Sequence, residues 1–172
     1  MSGETMDNLL WRDLSHQIKV AHSYGLCAQK YADKMRKRKR FIERLILVVL
    51  AIGAVAYKFI PEVTLGSVLL SFVIEFIKNF APSFTPPNSE LSNLDNLYLQ
   101  YSNCKTDLED AVLDFRNNPS VSDVRIKGRL TKIKKKMDSL HPQLNALVRK
   151  ISAKEHEAYE REAIDYINSK YQ

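Results

Sequence analysis

Toward both ends of the chain, apolar residues recur every three or four positions between charged ones; in the middle they fuse into a block almost without charge. In the first part Leu10, Leu14, Ala21, Gly25, Ala28, Ala32 and Met35 stand at spacings of 4, 7, 4, 3, 4 and 3, with Ile18 or Gln17 inside the long step. This is the side-chain period of an α-helix. No proline interrupts residues 7 to 40, so one long helix is predicted there. Its seam consists mostly of small residues, which require a closely packed partner helix. Trp11, Ile18 and Tyr24 widen the seam, and His22 beside it reads as a packing histidine rather than a ligand or a pH switch.

The pattern returns after the middle block. Ser92 and Asp95 have the spacing of a capping box. Leu94, Leu97, Tyr101, Cys104, Leu108, Ala111 and Phe115 then follow at helical steps, and the run ends near Pro119. A second capping box, Ser120 with Asp123, precedes a seam of Leu130, Ile133, Met137, Leu140, Leu144, Leu147 and Ile151. Pro142 within it marks either the first turn of a new helix or a kink. A last helix, Ala158 to Tyr171, carries Tyr159, Ala163, Tyr166 and Ile167. Nothing in either arm alternates with the period of a strand, so the fold class is all-α. The seams can pair arm to arm within one chain or as a coiled coil between chains.

The middle block contains two apolar runs, about 41–60 and 63–81, within a segment 41–84. Its only charged residues are Glu43, Arg44, Lys58, Glu62, Glu75 and Lys78, against 40 in the rest of the chain. Twenty residues of helix span roughly 30 Å, the thickness of a bilayer's hydrocarbon. Taken alone, the thirteen uncharged residues Leu45 to Tyr57 would suit a buried core helix. However, the run has no polar stripe, and a small domain rarely buries a helix on every side. It also follows six basic residues in seven, Lys34, Arg36, Lys37, Arg38, Lys39 and Arg40. Such a block marks the cytoplasmic boundary of a membrane helix. The expectation is a two-helix transmembrane hairpin in the inner membrane. A cytoplasmic N-terminal helix, 1–40, and a cytoplasmic helical, coiled-coil-like arm, 85–172, flank it and hold 23 of the 26 basic residues.

In the second run Thr64, Ser67, Ser71, Glu75 and Lys78 are spaced 3, 4, 4 and 3 and fall on one helical face. Leu65, Val68, Leu69, Phe72, Val73 and Phe76 occupy the other side. Ser67 and Ser71 form a small-xxx-small pair that lets helices approach closely. Ionisable groups in lipid face a partner or a wet cavity, which makes this row a candidate pore or helix–helix interface in a homo-oligomer. The simpler alternative is an i,i+3 pair of Glu75 and Lys78 in headgroup water.

Composition adds less. Net charge is +6 and the pI near 9.3, which suits an anionic membrane surface or nucleic acid. A mean hydropathy of −0.29 averages away the contrast between block and arms. The two cysteines, Cys27 and Cys104, are far apart and fit a reducing compartment. The opening residues predict no cleavable signal peptide. Five scattered glycines make no phosphate-cradling loop, and His156 and Glu160 lack the second histidine of a zinc motif. No catalytic, cofactor-binding or metal-binding set is predicted, and the chain is not expected to be an enzyme. The basic stretch 127–136 reads as a solvated or lipid-facing helix side. Without interleaved aromatics it disfavours nucleic acid.

The order of parts resembles the SLATT family of bacterial two-helix membrane proteins. The resemblance rests on Leu10-Trp11, Ala21-His22, Tyr31-Ala32, the basic block and the closely spaced hairpin. It implies an effector of an anti-phage, abortive-infection system that oligomerises and permeabilises the inner membrane on a cytoplasmic signal. A nucleotide second messenger or a sensor protein would then be its partner. The alternative is a non-conducting, membrane-anchored scaffold whose helical arms recruit another protein.

Overall fold

The computed structural model describes residues 6–59, 71–73, 75, 87–117, 123–148 and 151–171. Four helices account for nearly all of them: α1 (Met6–Phe59), α2 (Asn88–Asn117), α3 (Asp123–Leu147) and α4 (Ala153–Tyr171). The all-α class holds, with no strand among the described residues. Two compact units divide the chain, one of residues 1–31 with 93–172, the other of residues 32–92.

The first unit is an up-down-up-down bundle of the start of α1 with α2, α3 and α4. Its contacts give the directions. Trp11 lies near Arg116 and Tyr171 at one end, whereas Lys30 pairs with Glu162 toward the other, so α1 runs antiparallel to α2 and α4. Lys134 with Asp13 and His141 with Tyr24 show α3 running parallel to α1. The seams read from the sequence meet each other here. Leu10, Leu14, Ala21 and Ala28 of α1 are buried with Leu97, Tyr101, Cys104, Leu108 and Ala111 of α2. Leu130, Ile133, Met137, Leu140 and Leu144 of α3 and Tyr159 of α4 complete the core. Ile18, fully buried, fills the long step of the first seam. Burying each such large aliphatic side chain stabilises the bundle by about 1.5–3 kcal/mol. The small-residue seam does bring helices close: a Cβ on Gly25 would lie 3.6 Å from the Tyr101 Cβ.

Helix limits differ from the expectation in several places. α1 does not stop at Arg40 but continues unbroken to Phe59, because Lys and Arg are good helix formers and nothing at residue 40 breaks the hydrogen-bond ladder. α2 opens at Asn88, with Glu90 and Leu91 donating their N–H groups to the Pro87 carbonyl at 3.0 and 3.3 Å. Ser92 and Asp95 therefore lie inside the helix and do not cap it. Ser120 lies outside the described residues. A reciprocal capping box forms instead at Ser152 and Glu155: the Ser152 N–H reaches the Glu155 carboxylate at 3.0 Å, and the Glu155 N–H reaches Ser152 Oγ at 3.2 Å. α4 accordingly begins five residues before Ala158. Pro142 sits inside α3, which runs on to Leu147.

The second unit contains α1 from Ala32 onward and the start of α2. Among the described residues no helix is long and apolar enough to cross a membrane. In α1 the uncharged stretch from Leu45 is bounded by Glu43 and Arg44 before it and Lys58 after it. The other limb, about 63–81, lies outside the described residues apart from 71–73 and 75, which are helical.

Candidate functional site

In the second unit the apolar side of α1 is exposed. Phe41, Leu47 and Ile52 are 66%, 65% and 64% exposed, and Leu45 and Val48 are more than half exposed. At 100° per residue, Phe41, Leu45, Val48 and Ile52 share one side within about 60°, and Leu47 stands farther round, beyond the exposed Arg44 and Ala51. Ile42, Ile46 and Leu50 on the remaining side are half-buried. Five large apolar side chains in twelve residues are thus left uncovered, whereas the first unit closes its own core. Isolated exposed apolar residues need no explanation, but a contiguous patch does.

The basic block forms the polar end of this stretch. Lys34, Lys37, Arg38 and Arg40 are exposed, and Arg36 and Lys39 are half-buried. Arg36 pairs with Asp33 at 3.1 Å. Lys39 Nζ donates to the Asn88 side-chain oxygen at 2.6 Å and lies 4.0 Å from Glu43. The Lys39–Asn88 hydrogen bond has a topological meaning. It joins a residue just before the apolar segment to the first residue of α2 after it, so the chain leaves and returns at the same place.

Of the polar row in the second limb, Ser71 and Glu75 are helical and exposed, four residues apart and therefore on one side. Phe72 between them is 68% exposed. Thr64, Ser67 and Lys78 lie outside the described residues.

The first unit has a polar layer of its own. Tyr166 donates its hydroxyl to Glu109 at 2.6 Å, and Lys170 Nζ donates to the other Glu109 oxygen at 2.7 Å. The His22 ring stacks on Tyr166 at 4.5 Å, with Lys105 Nζ 4.6 Å from the same ring. Burial works against the Glu109 carboxylate, but the Lys170 and Tyr166 hydrogen bonds and the Lys170 and Lys105 charges outweigh it and hold its pKa below the ordinary value. Burial and Lys105 lower that of His22, overcoming the acids around it. His22 is half-buried and packs its ring against Tyr166. An open groove of about 540 Å³ lies at Val20, Tyr24, Met137 and Pro142, with Gln17, Asp138, His141 and Asn145 as its polar groups. Sequence reasoning missed the Glu109–Tyr166–Lys170 network; its only local signal is the i,i+4 spacing of Tyr166 and Lys170.

Among the described residues no group of three or more His, Cys, Asp or Glu is placed to hold a metal ion. His156 and Glu160 are both exposed. In comparisons with protein-family models, curated proteins and solved structures, nothing matches the chain.

Proposed function

We propose that the chain is a two-pass membrane protein whose residues 41–84 sit in lipid, and that it acts as an oligomeric, membrane-permeabilising effector. The observation that carries the reading is the uncovered apolar stretch of α1, Phe41, Leu45, Leu47, Val48 and Ile52, directly after the basic block. Lipid covers such a stretch without further protein, and the sequence sets Arg44 and Lys58 near its ends, where long basic side chains suit the interfaces. The Lys39–Asn88 hydrogen bond supports both arms emerging on one side, and their basic excess makes that side cytoplasmic. The layout shared with SLATT proteins supports the effector role, with a nucleotide second messenger or a sensor protein as trigger. Oligomer contacts fall to the hairpin, with Ser71 and Glu75 on the wet face together with Thr64, Ser67 and Lys78.

The test is induced expression of the full chain with a membrane-potential dye, alongside carbonate extraction. Retention in the membrane pellet with depolarisation, weakened in Ser71→Leu and Glu75→Gln, is the expected result. Release into the supernatant overturns the membrane reading. Retention with conductance indifferent to both substitutions overturns the wet face. A second reading, a membrane-anchored scaffold without conductance, draws on the self-contained bundle of the first unit. Retention without depolarisation, even with the trigger present, would select it.

A further inference from the structure

Helix α3 carries seven basic residues and two acidic ones, Asp123 and Asp138. Two of the seven are used inside the bundle: Arg129 pairs with Asp114 of α2, and Lys134 binds both oxygens of Asp13 of α1 at 2.8 and 2.9 Å. These pairs flank the buried stripe of Ile126, Leu130, Ile133 and Met137 and fix how α3 sits. The other five, Arg125, Lys127, Lys132, Lys135 and Lys136, are exposed, and none pairs with a carboxylate among the described residues. Arg125, Lys132 and Lys136 follow at steps of seven and four, so they share one side, with Lys135 next to them. This row extends over roughly 16 Å. Val124, at 78%, is the most exposed large apolar side chain of the described residues, and nothing approaches within 4 Å of a Cβ built on Gly128 in the same face.

We infer that this outward face of α3 docks on anionic lipid headgroups. It goes beyond the reading above, which places only residues 41–84 in contact with lipid. Four unpaired cations in a row match a plane of phosphates, and their attraction is long-ranged and salt-dependent. Val124 finds a place at the headgroup–acyl boundary but gains nothing on a duplex backbone. No aromatic side chain stands in the row to stack on bases, which argues against single strands.

The test uses the full chain with Gly128→Cys carrying a polarity-sensitive dye, since Cys27 and Cys104 are buried. It is reconstituted in nanodiscs of neutral phosphatidylcholine or of phosphatidylcholine with phosphatidylglycerol. Dye emission is expected to shift to the blue only in the anionic discs and to return in high salt. Combining Lys132→Gln, Lys135→Gln and Lys136→Gln is expected to lower the docked-to-undocked ratio roughly a hundredfold, at about fivefold per cation. All three positions are exposed, so unchanged circular dichroism confirms the fold. Equal emission in both discs overturns the inference. So does a short RNA duplex that shifts the dye as strongly as anionic lipid and loses that effect in the triple variant. Failure of the chain to enter any disc refutes the membrane reading separately. The face is then read by flotation with anionic vesicles: salt-sensitive flotation lost in the triple variant sustains it, and none overturns it.

Discussion

Removing one phenolic hydroxyl should stabilise the bundle at Tyr101 and weaken it at Tyr166. Among the described residues the Tyr101 side chain is the largest fully buried one, and its hydroxyl has no hydrogen-bond partner among them. In the unfolded chain that hydroxyl is hydrated, so folding forfeits about 1–3 kcal/mol of hydrogen bonding at this atom. Tyr101→Phe removes this cost. The void left by one oxygen offsets only a few tenths of a kcal/mol on a scale of about 24 cal/mol per Å³. The expected gain is about 1–2 kcal/mol. At Tyr166 the hydroxyl donates to the Glu109 carboxylate at 2.6 Å and accepts from Lys170 at 3.0 Å. A bond to a charged group contributes roughly 1.5–3 kcal/mol when buried. Tyr166 is only half-buried and Lys170 is exposed, so about 1 kcal/mol is the fitting loss. Urea unfolding of the full chain in lipid-mimetic micelles, followed by circular dichroism, reads both midpoints at unchanged slope. A lowered midpoint for Tyr101→Phe refutes the reasoning, since it would mean that the buried hydroxyl has a partner in the folded protein. A neutral Tyr166→Phe would remove the network's claim to stability.

Four further outcomes follow from the same geometry. Because the Glu109 pKa is depressed in the fold, its contribution is complete above the unfolded value of about 4.3 and lost as pH falls through the folded one. Glu109→Gln should therefore flatten the acid limb of stability against pH, and an unchanged limb would contradict this. The His22 pKa is lowered as well, so its neutral form favours folding above an ordinary pKa of about 6.5, and protonation below it destabilises. His22→Gln should reduce the fall in midpoint between neutral and mildly acidic buffer. Burial, with Glu155 adding to it, pushes the Cys27 thiol up to about 11, and burial also raises Cys104. Maleimide labelling near pH 8 should be slow in the native state and reach both cysteines only in denaturant. Gly128 is exposed and meets open space within α3, so Gly128→Ala should stabilise by about 0.8–1 kcal/mol, read as a higher unfolding midpoint.

The bundle was legible in the sequence because its seams repeat at the helical period, and period alone decides which face is buried. Leu10, Leu14, Ala21 and Ala28, and the runs from Leu94 to Ala111 and from Leu130 to Leu144, are buried where the spacing put them. Helix ends were less legible. The composition changes sharply at Arg40, but a change in charge does not break a backbone ladder, and α1 passes straight through. Ser92 and Asp95 imitate a cap, yet Pro87 one turn earlier supplies the carbonyl at which the helix starts. The Glu109–Tyr166–Lys170 network joins residues 57 and 61 positions apart, which no local pattern encodes. Of the candidate wet face, only Ser71 and Glu75 fall among the described residues, and they share a side.

The closed bundle narrows where an assembly of chains can form. A seam of small residues such as Ala21, Gly25 and Ala28 requires a close partner, and coiled-coil pairing between chains was one way to supply it. α2 supplies it within the chain instead, with Tyr101 against Gly25 at contact distance. Trp11, Tyr24 and Tyr166 pack around the same core. Among the described residues the exposed large apolar side chains are most closely grouped on α1 beyond Arg40. On the oligomer proposed above, association of chains would draw on that surface and on residues 63–81. In lipid the apolar surface by itself gives no preference for protein over acyl chain, so specificity falls to small and polar groups such as Ser71 and Glu75. On that proposal, removing the arms' charges should leave crosslinked oligomers in the membrane intact, while leucine at Ser71 should loosen them.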